Sequence, residues 1–321
     1  LIDKNIRRSF LMRITIFGSG GVGGYFGSRL AQAGEDVTFI ARGEHLKAMQ
    51  KNGLRVESIQ GNFTVNPVKA TDDPAQAEAD AVLVAVKCWD VPAAAEAMKP
   101  MVGRHTFVVP LENGVEAPDQ LSAVLGRAHV LGGLCRISAY IAAPGVIRHV
   151  GLDPSGTFGE LDGSLSQRLE QLRQVFARIP YIHAEISTDI RMEIWEKFLF
   201  IATMSGLGGV TRQPVGVFRT VPESRTLLKA TLEETCTLAW ARGIALPNDS
   251  IQKTLETIDN LPPATTASMA RDILDGRPSE LEAQNGAIVR MGRESGVPTP
   301  VHAYIYASLL PGELKARAKI T

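Results

Sequence analysis

A short run of apolar and β-branched residues, Arg13-Ile-Thr-Ile-Phe17, stops at Gly18-Ser-Gly20-Gly-Val-Gly23, and a helical pattern then runs to Gly34. A strand, a glycine turn and a helix in that order match GxGxxG in the setting where it has physical meaning. Gly18 permits the tight turn, Gly20 lets the backbone approach a pyrophosphate, and Gly23 lets the helix pack closely on the strand. Ser19, Gly21 and Val22 complete the loop, and the helix N-terminus holds the anion. The alternative is a glycine-rich turn with no ligand, and the rest of the first half argues against it.

That half alternates strands with helices. Asp36–Ala41 is a second expected strand, Ala81–Val86 a buried central one, Thr106–Val109 another and His129–Leu134 a further one. Uninterrupted apolar runs suit parallel strands covered on both faces. Residues 135–161 hold glycine, proline and short alternating runs, as expected for antiparallel strands finishing a mixed sheet, and 164–179 has helical spacing. From about Asp189 the pattern is helical, with segments at 191–209, 222–242, 249–258, 266–274 and 280–295. The expectation is an α/β fold: an N-terminal Rossmann-type dinucleotide-binding domain, residues 12–187, and a C-terminal all-α domain, residues 188–321.

The 321 residues carry 34 basic and 34 acidic side chains, so no basic surplus is available to displace counterions from nucleic acid or an anionic membrane. The expected partner is a small molecule, not nucleic acid or membrane. The longest apolar stretch, Phe198 to Val210, is 13 residues, short of the roughly 20 that cross a bilayer. The opening Leu1–Leu11 lacks the apolar core of a secretory signal; the expectation is that Met12 is the natural start and that the protein is cytoplasmic. Cys88, Cys135 and Cys236 form no CxxC pair, and the six histidines have no ligand spacing, so no metal is expected.

At the end of the second strand an NAD enzyme usually carries an acidic residue for the ribose 2′-hydroxyl. This chain has Ile40-Ala41-Arg42-Gly43. A guanidinium there pairs with the 2′-phosphate of NADP, so NADPH/NADP+ is the expected cofactor. Glu44, two residues on, is the competing feature, since it too lies within reach of a ribose.

Four further segments, taken in order, carry a resemblance. They are Val86-Lys87-Cys88-Trp89, Glu112-Asn113-Gly114-Val115, Trp195-Glu196-Lys197-Phe198, and Ser268 to Asp272 with Gly276 to Glu280. From Met12 to about Leu310 the chain resembles the ketopantoate reductase family, the NADPH-dependent 2-dehydropantoate 2-reductases and their paralogues. The resemblance implies reduction of a 2-oxo acid, most directly 2-dehydropantoate to pantoate in pantothenate biosynthesis, by a homodimer formed through the helical domain. It implies Lys197 as the catalytic acid and Glu280 as the partner of the substrate hydroxyl. Ser268 then contacts the substrate carboxylate, Asn113 orients cofactor or substrate, and Lys87 lies near the nicotinamide.

By ordinary physics each of these residues also has a plainer reading. Lysine is mostly exposed, an acidic residue on an amphipathic helix is mostly solvated, and Asn-Gly is a common turn pair. Lys197, however, lies in an apolar run, where it must snorkel, find a partner or line a cleft. The chain also departs from the family. Asparagines that follow the catalytic lysine by four and eight residues, and a third in a Pro-Asn-Gly segment, are replaced by Ile201, Ser205 and Val215. With Ser205 as the remaining hydrogen-bonding group, these replacements favour, as an alternative, a substrate more apolar than ketopantoate. Two alternatives stand beside the named reaction: a paralogue reducing a more apolar ketone or 2-oxo acid, and a non-catalytic NADPH sensor.

Overall fold

Residues 11–320 are described by a computed structural model of the protein; the expectation about the leader falls largely outside them. The described residues divide into two compact units, one of residues up to 112 and 116–190, the other of residues 113–115 and those from 191 on.

In the first unit β1 (Arg13–Phe17) leads through the glycine turn to α1 (Gly21–Gln32) and β2 (Asp36–Ile40), then to α2 (Gly43–Asn52). Strands β3 (Leu54–Ser58), β4 (Phe63–Val65), β5 (Lys69–Thr71) and β6 (Ala81–Val84) follow. Helix α3 (Val91–Met98), strand β7 (Phe107–Pro110) and helix α4 (Ala117–Leu125) complete the alternation. A parallel five-stranded sheet has the order β5-β2-β1-β6-β7. Strands β6 and β7 are buried at every position, as their unbroken apolar sequences require of a sheet covered on both faces. The expected Rossmann-type sheet is therefore present. Strand order reverses beside β1, with Phe17 opposite Ile40 on one side and Val84 on the other. Open α/β sheets bind ligands outside the strand ends at such a switch point, and the glycine turn lies there.

The strands β8 (Leu131–Arg136), β9 (Ala139–Ala143), β10 (Val146–His149) and β11 (Ser155–Glu160) come next. β8 and β11 are antiparallel, as expected, and Val130 bridges Val108 of β7, but the four strands do not share one sheet, and here the sequence expectation is corrected. β9 and β10 join β3 and β4 in a four-stranded sheet, while β8, β11 and β12 (His183–Ile186) form a three-stranded one beyond α5 (Gln167–Ala177). The pairing of β10 with β3, Val146 against Arg55, spans too much sequence for any local pattern to announce.

The second unit is helical, as expected. Its helices are α6 (Ile190–Thr211), the short α7 (Val215–Phe218), α8 (Pro222–Ala241), α9 (Ser250–Asn260) and α10 (Ser268–Leu274). A π-helical turn (Glu282–Gly286) then enters α11 (Ala287–Ser295), and α12 (Pro300–Ala316) closes the chain. Trp195, Phe198, Leu199, Leu228, Leu232, Ile258 and Ile288 belong to its core. Among the described residues no helix is long and apolar enough to cross a membrane, and no group of acidic, histidine and cysteine side chains is arranged to hold a metal.

A buried polar knot ties three of these helices to the π turn. Fully buried Asn285 donates from Nδ2 to the Ala202 carbonyl of α6 (3.3 Å) and to Nδ1 of His302 in α12 (3.0 Å). The other ring nitrogen of His302 donates toward the Thr231 carbonyl (3.1 Å) and the Thr235 hydroxyl (3.0 Å) of α8. With Nδ1 accepting and the ring out of water, His302 is held neutral, its pKa pushed from 6.5 down to about 4 by burial. The unfolded chain therefore takes up a proton that the folded one refuses. The stability from this site is complete above about pH 6.5 and falls as pH drops toward about 4, by roughly 3 kcal/mol in all. His302→Gln is expected to remove about one proton from the acid dependence of unfolding, measured by urea denaturation at neutral and mildly acidic pH; an unaltered slope would refute this source.

Candidate active site

The glycine turn is shaped by contacts that no side chain tolerates. Gly18 has φ +103°, in the region that favours glycine, and a Cβ there would lie 2.8 Å from the Ala85 carbonyl group. A Cβ on Gly23 would lie 2.1 Å from the Gly18 oxygen and 2.8 Å from Ile16. A Cβ on Gly20, by contrast, would have no neighbour within 4 Å. Two glycines of the motif thus make room for the protein and one leaves room beside it. Gly20 caps α1 with no side-chain hydrogen bond to the first-turn amides, so Gly21, Val22 and Gly23 open a helix N-terminus suited to an anion. Ser19 is buried and its hydroxyl donates to the Ile40 carbonyl (2.9 Å), fastening the turn to the end of β2. These features fit the pyrophosphate of a dinucleotide.

At that strand end Arg42 is exposed and forms the N-cap of α2. The competing Glu44 pairs with Lys47 at 2.8 Å, which leaves the guanidinium as the group of the correct sign for a 2′-phosphate. Lys87 follows β6, exposed, with its ammonium 5.6 Å from the centre of the Trp89 ring. Glu112 was given no role from sequence. It is buried and accepts the N–H groups of Val86 (3.2 Å) and Leu111 (3.1 Å), joining the ends of β6 and β7.

Asn113, Lys197, Ser205, Ser268 and Glu280 all fall in the second unit. Asn113 belongs there although it follows β7 in the chain. Its Nδ2 donates to Oε2 of Glu280 at 3.0 Å across 167 residues of sequence. Gly114 makes the approach possible: with φ +93°, it lies where a Cβ would be 3.0 Å from the Ala283 carbonyl of the π turn. Asn-Gly is therefore both a turn and a docking element.

Glu280 is 7% exposed, and Gln284 donates to the same oxygen at 3.4 Å. Gln284, like Glu112, was invisible as a site residue, because a glutamine on a helical pattern carries no signal of what it faces. Lys197 is half-buried on α6 between Trp195 and Phe198, whose rings meet edge to face at 5.7 Å. Ser268 is the first residue of α10 and half-buried. Ser205 does not present a surface to a ligand. Its side chain is fully buried and its hydroxyl has no hydrogen-bond partner, while Val215 lies in the apolar core with its N–H bonded to the Thr265 carbonyl. Of the three departures from the family, Ile201 alone is half-exposed, one turn beyond Lys197.

Comparison with known proteins settles the lineage. The family described as "Ketopantoate reductase PanE/ApbA" matches residues 14–163, and its C-terminal counterpart, "Ketopantoate reductase PanE/ApbA C terminal", matches residues 189–312. The chain belongs to the ketopantoate reductase family, whose members are NADPH-dependent oxidoreductases. A 2-dehydropantoate 2-reductase of Mesorhizobium japonicum is 30% identical over 90% of this chain and 94% of its own. An uncharacterized oxidoreductase of Bacillus subtilis, YkpB, is 28% identical over 93% of this chain and 98% of its own. Among solved structures, a PanE/ApbA family ketopantoate reductase from Ralstonia eutropha superposes with TM-score 0.87 at 31% identity, covering 95% of this chain and all of that one. The α/β class and the helical second half expected from sequence agree with both family matches and with the fold of that solved structure.

Proposed function

We propose that the protein reduces a 2-oxo acid to the 2-hydroxy acid with NADPH, 2-dehydropantoate to pantoate being the first reaction to test. The reading is carried by the Asn113–Glu280 hydrogen bond, which brings two residues matched to the family's site together in the unit that also bears Lys197 and Ser268. NADPH, when bound, supplies a hydride to the carbonyl carbon. The residues matched to hold it are Gly18 to Gly23, with Arg42 on the 2′-phosphate and Lys87 near the nicotinamide.

Lys197 donates a proton from Nζ to the carbonyl oxygen as negative charge develops there, and the apolar Trp195 and Phe198 beside it raise the value of that charge. Its ammonium is then restored from water. Glu280 accepts a hydrogen bond from the substrate hydroxyl and Asn113 keeps its carboxylate aimed. Ser268 donates to the substrate carboxylate. A more apolar 2-oxo acid is the second reading, favoured by the half-exposed Ile201 one turn from Lys197.

The test is oxidation of NADPH, followed by nicotinamide absorbance, with ketopantoate and a series of bulkier 2-oxo acids, each repeated with NADH. Saturable turnover of ketopantoate with kcat/KM of at least about 10⁴ M⁻¹s⁻¹ is expected. Turnover confined to the bulkier acids would move the assignment to the second reading. Tight NADPH binding with no oxidation by any of them would reject the enzyme in favour of a sensor.

A further inference from the structure

The Glu280 carbonyl accepts the Gln284 N–H at 3.0 Å, but Glu280 follows an irregular stretch after α10, so no helical ladder fixes the backbone on its N-terminal side. The residue before it is gripped instead by the last helix. The Glu313 carboxylate accepts the Ser279 N–H (3.1 and 3.0 Å to its two oxygens) and the Ser279 hydroxyl (2.5 Å). Arg317, one turn on, pairs with Glu313 through Nε and donates from Nη2 to the Ser279 carbonyl at 2.8 Å. The Ser279 hydroxyl in turn accepts the Leu281 N–H at 3.3 Å. Ser279 is fully buried and Glu313 nearly so.

A buried ion pair is by itself weak support for stability, because desolvation offsets much of the attraction. This one is notable for where its bonds go: both backbone polar groups of Ser279, and its hydroxyl, end on it. We propose that Glu313 and Arg317 form a clamp that positions Glu280 for the reaction. The proposal rests on the reading that Glu280 meets the substrate. Asn113 and the Gln284 side chain hold the carboxylate of Glu280, and the Gln284 N–H holds its carbonyl; the clamp fixes the main chain that leads into it. Misplacement by about 1 Å, far from the chemistry, can lower turnover by about 100-fold.

The test is a double-mutant cycle on ketopantoate reduction. Glu313→Gln keeps the shape but loses the charge and one acceptor. It is expected to lower kcat by about tenfold or more while the NADPH Kd stays within about twofold. In a Glu280→Ala background the same change is expected to cost no more than about twofold, since the group it positions is gone. An equal fall in both backgrounds, or none in the first, overturns the clamp as a positioning device. Ser279→Ala, which deletes only the hydroxyl, runs through the same cycle should Glu313→Gln fail to fold, with a fall of about threefold expected. If Glu280→Ala itself leaves turnover intact, it is the functional reading that fails. Amide hydrogen exchange at residues 279–284 needs no substrate. Glu313→Gln is expected to speed it by about tenfold without affecting α8, and unaltered exchange also overturns the clamp.

Discussion

Lys197→Ala is expected to lower kcat for 2-oxo acid reduction by about 1,000-fold while leaving NADPH affinity within about twofold. Two effects add. The variant loses the proton donor, and it loses the only charge assigned to oppose the oxyanion as hydride arrives. The size of the second depends on surroundings, because a charge beside buried Trp195 and Phe198 acts through a lower dielectric than one in water. Lys197→Arg separates the two: it keeps the charge but holds its proton too firmly to give it up, so a partial recovery, well short of wild type, is expected. Steady-state kinetics with cofactor binding measured separately decide the matter. A kcat unchanged in Lys197→Ala would remove this residue from the mechanism, and an equal loss of NADPH affinity would make it a cofactor ligand.

The second large effect is on cofactor choice. Arg42→Glu is expected to weaken NADPH binding by about 100-fold or more and to leave NADH binding within a few-fold, measured by nicotinamide fluorescence titration. A charge-assisted hydrogen bond to phosphate is worth about 1.5–3 kcal/mol, or roughly 10- to 150-fold, and reversal of the charge adds repulsion. The exposed position of Arg42 makes the preference fall with added salt, since solvent ions screen it. Equal weakening for both cofactors would mean that Arg42 serves the fold of the α2 N-terminus and not the phosphate.

The residues that yielded most to reading in sequence are those whose roles are set within a few positions of the chain. The Gly18 to Gly23 turn is one, because a positive φ at Gly18 and a close helix–strand approach at Gly23 are demands on single residues that only glycine meets. The buried runs of β6 and β7 are another, since a sheet covered on both faces needs apolar side chains at each position in turn. Lys197, Glu280 and Asn113 were legible only through the order of their motifs, not from what each touches.

Tertiary structure decided what lies far apart in the chain. It took β9 and β10 out of the expected mixed sheet and paired them with β3 and β4, and it moved Asn113 from a strand end of the first unit onto Glu280 of the second. It withdrew Ser205 and Val215 into the helical core, where spacing from Lys197 along α6 says nothing about which neighbours cover them. It also supplied α12, which the sequence reading, ending its helices at Ser295, left out: Pro300 opens that helix and Pro311 lies within it. A proline inside a helical pattern costs a hydrogen bond and reads as a break, yet packing of α12 and the buried bonds of Glu313, Arg317 and His302 hold it. Periodicity and backbone sterics are local and survive in the sequence, whereas burial and pairing depend on the rest of the folded chain.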